Sequence, residues 1–157
     1  MLSECITRAI EHHGYQLAAF VFMPEHVHLI VWPTDGAGNI DALLKTIKRP
    51  FSYRVKTLLM EAKSPLLDRL MIRQRPGVTT FRFWQEGPGY DRNITEVSTA
   101  LAAVNYLHEN PIRRGLVGQA INWKWSSALF YLYDPPRQYS GLPIVFGLPH
   151  DWLNGSS

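Results

Sequence analysis

Two short patterns carry side chains suited to chemistry. His26-Val27-His28 stands in a run of strand-forming residues. Side chains alternate faces along a strand, so both imidazoles project from one face. Two adjacent imidazoles can chelate one divalent cation. The same pair also fits two partly buried polar histidines on a half-solvated sheet, and a metal site needs a third ligand from elsewhere in the chain. The second pattern is Tyr106 and Asn110, which are i and i+4 and therefore neighbours on one helical face. It fits a core-edge tyrosine and a C-cap asparagine. It also fits a reaction, because a tyrosine can attack phosphorus and hold a covalent phosphodiester. A phenol, with an ordinary pKa of about 10, is a poor nucleophile at neutral pH. A nearby metal would stabilise the developing phenolate or polarise the phosphate, and Asn110 could supply the missing oxygen ligand. His108 lies roughly 100° or more round the helix from both residues and stands apart from them.

The elements that must position these groups are legible from periodicity and punctuation. Leu2 to His13 has helical apolar spacing and Gly14 stops it. Tyr15 to Met23 and His26 to Trp32 read as two strands joined by Pro24-Glu25, an antiparallel hairpin. In that reading Val27, Leu29 and Val31 face helices, and the histidines face the other way. Asn39 or Asp41 caps a helix to about Ala62, which Pro50 should kink or divide. Ser64-Pro65 starts a short segment, Arg75-Pro76-Gly77 is a turn, and Thr79 to Gln85 and Tyr90 to Ile94 read as strands. Thr95 caps the helix that carries Tyr106, and Asn110-Pro111 should end it. Trp123 to Tyr133 reads as a last helix. Residues 1–133 form the main domain, and 134–157 a Pro/Gly-rich tail that packs back on it through Leu142, Ile144, Phe146 and Trp152. Helices between strand pairs give an α+β class with an antiparallel sheet.

Composition narrows the partners. The chain has 157 residues with 46% hydrophobic and 18% charged, which suits one globular domain with its own core. The longest apolar run, around Leu17 to Met23, is too short to span a bilayer, and Met1 to Cys5 lack the features of a secretory signal. A single cysteine, Cys5, excludes an internal disulfide framework and a Cys-based zinc cluster. A cytoplasmic location is expected. The net charge of +3 is unevenly placed: Lys45 to Arg82 hold ten basic residues against Glu61 and Asp68, near +8, leaving the remainder near −5. Such asymmetry points to a polyanion partner, although a solvated basic helix face would look the same.

The longer motifs resemble a known family. Met23-Pro24-Glu25-His26-Val27-His28-Leu29-Ile30-Val31 resembles the HUH motif of single-tyrosine transposases. Tyr106-Leu107-His108-Glu109-Asn110-Pro111-Ile112-Arg113-Arg114-Gly115-Leu116-Val117 is similar to the second signature of REP-associated tyrosine transposases, within the IS200/IS605-like group. Phe83-Trp84-Gln85, Gly89 to Ile94 and Trp123 to Ala128 match that group too, in the right order from about Tyr15 to Phe130. The resemblance implies a central antiparallel sheet with helices packed on it, HUH/ferredoxin-like, and the histidines on an inner strand. It implies single-stranded DNA nicking and strand transfer at hairpin-forming repeats, with Tyr106 as nucleophile and a 5′-phosphotyrosine intermediate. His26, His28 and Asn110 would hold Mg²⁺ or Mn²⁺, an amide oxygen being a suitable ligand for a hard cation. Lys45, Lys48, Arg49 and Arg54 would track hairpin phosphates, and Arg113 and Arg114 would hold the cleaved strand. Trp84, Tyr90 and Trp125 are candidates for base stacking, with core packing the alternative for Trp123 and Trp125. The family sheet begins with a strand ahead of the Leu2 helix. Here that first strand is expected to be missing, which would open a neighbouring edge. The other readings are a relative that binds hairpin DNA without cutting it, and a zinc hydrolase built on the HxH pair. The enzyme would act as monomer or homodimer, with no membrane partner.

Overall fold

The computed structural model describes residues 1–36, 38–85 and 93–149. The element order is α1 (Leu2–His12), β1 (Tyr15–Phe22), β2 (Val27–Pro33), α2 (Ile40–Glu61), α3 (Leu66–Leu70), β3 (Met71–Arg75), β4 (Val78–Phe81), α4 (Val97–Arg113) and α5 (Ala128–Leu132), with one 3₁₀ turn at Ala120–Asn122. The class is α+β with antiparallel pairing throughout. The chain divides into two compact units, residues 1–9 with 39–91, and residues 10–38 with 92–157.

In the second unit β1 and β2 form the expected hairpin, with Val21 opposite His28 and Phe22 opposite Val27. Its turn is closed by the Met23 N–H donating to the His26 carbonyl at 2.9 Å. His26 therefore stands one residue ahead of β2 and not inside it. Among the described residues β2 pairs with β1 alone, so the HxH strand lies at an edge of its sheet rather than inside it. The other edge of β1 is covered. Phe22 N–H donates to the Trp125 carbonyl at 2.8 Å, Ser127 N–H to the Phe20 carbonyl at 3.0 Å, and Phe146 N–H to the Leu17 carbonyl at 2.9 Å. These bonds satisfy backbone groups that would otherwise be buried without partners. The register slips between Leu17 and Ala19, a bulge at Ala18, whose carbonyl accepts the Tyr131 hydroxyl at 2.8 Å.

Helix α4 packs on this hairpin. Ala100, Val104 and Leu107 share one helical face and bury themselves with Ala18, Ala19, Val21, Met23 and Leu148, with Ile30, Trp32, Ile94 and Trp123 against the cluster. Ile30 and Trp32 alternate in step with His28 and His26. The helix thus packs over β1 on the sheet face that His28 shares, the opposite of the expected orientation. The alternation misled because β1 is buried along nearly its whole length, so polarity does not choose a face. Past α5 the chain is irregular and packs back through Pro143, Val145 and Leu148, not through the expected Ile144 and Phe146, which alternate with them and are exposed; the Gly147 carbonyl accepts the Trp32 indole N–H at 3.2 Å. Gly38 stands so close to Tyr15 that a Cβ there would lie 2.1 Å from the phenol oxygen.

Several boundaries differ from expectation. The helix α4 starts after Glu96 rather than Thr95, and it runs through Pro111 to Arg113. The last helix is only the five residues Ala128–Leu132, because the segment before it is spent on bonding along β1. In the first unit α2 passes through Pro50 without ending, capped by the Asn39 side chain accepting from Ala42 N–H at 3.0 Å and anchored by buried Leu43 and Ile47. The strand expected at Thr79 to Gln85 is the shorter β4, paired with β3 across Pro76-Gly77, where Gly77 has φ +75°. The strand expected at Tyr90 to Ile94, the base-stacking candidate Tyr90 and the tail residue Trp152 fall wholly or mainly outside the described residues.

Candidate active site

The histidine pair forms as alternation requires. The His26 and His28 rings lie 4.7 Å apart between centroids at 80°. His26 is exposed and His28 half-buried. Burial and the neighbouring His26 hold the His28 imidazolium below its ordinary range, which favours the neutral, ligating form.

Tyr106, Asn110 and Arg113 follow one another along a flank of α4, at i, i+4 and i+7. Tyr106 is 54% exposed. The Arg113 guanidinium sits 4.3 Å from its ring centroid and also pairs with Glu109, so the tyrosine is steered by a cation without being buried. The Asn110 amide nitrogen donates to the Tyr106 carbonyl at 3.1 Å and the Leu107 carbonyl at 3.2 Å. Carbonyl oxygens only accept, so the group facing them is the NH₂ and the amide oxygen is turned away from the backbone.

Two features link the elements that carry the two patterns. The helix lies on the histidine face of the hairpin, and Arg114, just past its end, bonds Glu25 at 2.8 Å. Glu25 immediately precedes His26, so this pair ties the Tyr106 end of α4 to the turn that bears the histidines. Nothing in the sequence pattern marked Glu25 as Arg114's partner.

His108 is not part of that flank. It is buried, 2.8 Å from Ser127 Oγ and in ring contact with Tyr131, and burial pushes its pKa down to about 4. Ser127 Oγ in turn accepts from Phe20 N–H at 2.9 Å. His108 therefore pins α4 to β1 as a neutral side chain. Tyr131, pushed up to about 12 by burial, belongs to the same structural cluster.

Among the expected nucleic-acid contacts, Lys45, Lys48 and Arg49 share one face of α2, and Lys56 continues it. Arg54 projects from the other side and pairs with Glu4, whose carboxyl it holds below the usual range. Trp84 is half-buried against Phe51 and Phe83, and its indole N–H donates to the Lys48 carbonyl at 3.1 Å. Trp123 packs against the α4 core, whereas Trp125 is 44% exposed with Lys124 over its ring.

Among the described residues no three His, Cys, Asp or Glu side chains gather in a metal-binding group, so an all-protein zinc set of those ligands is absent from them. The donors at hand are two imidazoles and an amide oxygen. No helix among the described residues is long and apolar enough to cross a membrane.

A β-hairpin covered by a helix, with a histidine pair on the one and an exposed tyrosine on the other, is an α+β fold of the HUH-like kind expected from the motifs. The comparisons point the same way. Over 117 residues the chain is 23% identical to a Haemophilus influenzae protein named as a candidate REP-associated tyrosine transposase, covering 74% of this chain. The chain spans 61% of the length of that curated relative. A solved structure of a REP-associated tyrosine transposase bound to a REP hairpin superposes with TM-score 0.54 and 20% identity, over 94% of this chain and 78% of that one. No family model matches the chain. In sequence and in fold, the chain resembles the REP-associated tyrosine transposases.

Proposed function

We propose that this chain nicks and rejoins single-stranded DNA at hairpin-forming repeats, through a 5′-phosphotyrosine on Tyr106 and with a divalent cation, Mg²⁺ or Mn²⁺. The observation that carries the reading is the seating of α4 on the histidine face of the hairpin, with Arg114 tied to Glu25 beside His26. The donor set fits a hard cation: the His26 and His28 imidazoles lie side by side, and the Asn110 amide oxygen faces away from its own backbone. When bound, the cation would polarise the scissile phosphate and lower the cost of phenolate formation.

The residues of the chain do the rest. The exposed Tyr106 oxygen attacks phosphorus as its proton leaves to water. The P–O3′ bond breaks, and the 3′ oxygen takes a proton from water and leaves as a hydroxyl. Arg113 keeps the ring in place and supplies positive charge beside the phosphate. Because the phosphodiester energy is kept in the phosphotyrosine, attack by a 3′-hydroxyl rejoins the strand without ATP. Both arginines are paired with exposed carboxylates, so DNA phosphates can displace those partners at small cost. The basic face of α2 suits the hairpin stem.

The test is incubation of single-stranded hairpin repeats with Mn²⁺ and either the wild type or Tyr106→Phe. A covalent protein–DNA adduct in the wild type that vanishes in the variant supports the reading. Hairpin binding with no adduct in either protein overturns the cleavage and leaves a hairpin-binding protein.

A further inference from the structure

Pro111 has no N–H, so the Leu107 carbonyl one turn earlier lacks the helical donor it would otherwise have. A proline there would be expected to stop the helix, yet α4 continues to Arg113. The Asn110 amide takes the vacated place, donating to the Leu107 carbonyl at 3.2 Å and also to the Tyr106 carbonyl at 3.1 Å. Pro111 is fully buried, so the arrangement is held from the core side. Beyond it the turn closes on Gly115, at φ +67°, with Leu116 N–H donating to the Pro111 carbonyl at 2.9 Å.

The consequence concerns the other end of the same amide. An ordinary asparagine at a helix surface rotates its carboxamide and presents either atom. Here two acceptors claim the nitrogen, so one orientation persists and the oxygen points outward. We propose that Pro111 is a positioning residue: by depriving Leu107 of its helical donor, it recruits the Asn110 nitrogen and presents the Asn110 oxygen as a preset metal ligand. This rests on the reading of Asn110 as a ligand given above. It also explains why the adjacent Asn-Pro pair lies inside a helix rather than at its end.

The experiment titrates the chain with Mn²⁺ alone, read by electron paramagnetic resonance, for wild type, Pro111→Ala, Asn110→Ala and the double variant, with circular dichroism as the folding check. Pro111→Ala restores a backbone donor to Leu107 and releases the amide. Its Mn²⁺ affinity is expected to fall about tenfold, the range seen when a group orienting a metal ligand is removed. In the Asn110→Ala background the same change is expected to leave the affinity where it was. Pro111→Ala binding Mn²⁺ as tightly as the wild type overturns the role of Pro111 while leaving the metal site standing. A wild type that binds no Mn²⁺ overturns the ligand reading, and this inference with it. Should Pro111→Ala not fold, the wild type still decides the matter. The Asn110 side-chain amide protons are expected to exchange slowly with solvent by NMR without metal, and exchange at the rate of an exposed asparagine overturns the proposal.

Discussion

The two flanks of α4 differ sharply although their key residues are only two positions apart. On one, His108 is buried, bonded to Ser127 and packed on Tyr131, and the bonding continues into the backbone of β1 at Phe20 and Ala18. On the other, Tyr106 is exposed and Asn110 half-buried, and Tyr106 is steered by the cation of Arg113 while Asn110 is held by its own helix backbone. The first flank spends its polar groups on holding the helix to the sheet. The second leaves a phenol oxygen and an amide oxygen facing outward. A histidine two positions from Tyr106 is thus architectural, and burial with full hydrogen bonding is what separates it from the exposed side.

Breaking the buried flank has the largest expected effect. His108→Ala removes a buried ring together with its bond to Ser127, and is expected to cost about 3 kcal/mol of stability in urea denaturation. The same flank predicts an acid response of similar size. The His108 pKa is about 4 in the folded chain against an ordinary 6.5, so between those values the unfolded chain binds more protons. Stability is fully present above pH 6.5 and falls as pH drops towards 4, by about 3 kcal/mol at roughly 1.4 kcal/mol per pKa unit. Denaturation midpoints measured from pH 7 to pH 4 check this, and the His108 contribution to the slope is expected to vanish in His108→Gln. Tyr131→Phe removes only the bond to the Ala18 carbonyl and is expected to cost about 1 kcal/mol by the same assay. On the exposed flank Tyr106→Phe is expected to change stability by less than about 0.5 kcal/mol in thermal melts while abolishing the covalent adduct. A large stability loss in Tyr106→Phe would erase the contrast between the flanks.

Much of this arrangement was legible along the chain. Period-two alternation put His26 and His28 on one face, and i, i+4 spacing put Tyr106 beside Asn110, because both relations are local and follow from backbone geometry alone. The hairpin, α2 and α4 were legible for the same reason. Three things were not. Pro111 reads as a helix stop, and only the Asn110 amide bonding to the Leu107 carbonyl shows how the helix survives it. Alternation directed Val27, Leu29 and Val31 towards the helices, but α4 covers the other face, since long-range packing chooses between two faces that are both apolar enough to bury. His108 and Tyr106 stand in one motif with nothing local to rank them. Their roles diverge only because residues from Ser127 to Tyr131, about twenty positions on, fold back over β1 and close one flank while leaving the other open. Local spacing therefore determined which side chains neighbour one another. The tertiary fold decided which of them meet solvent, because burial and the partners it provides come from distant parts of the chain.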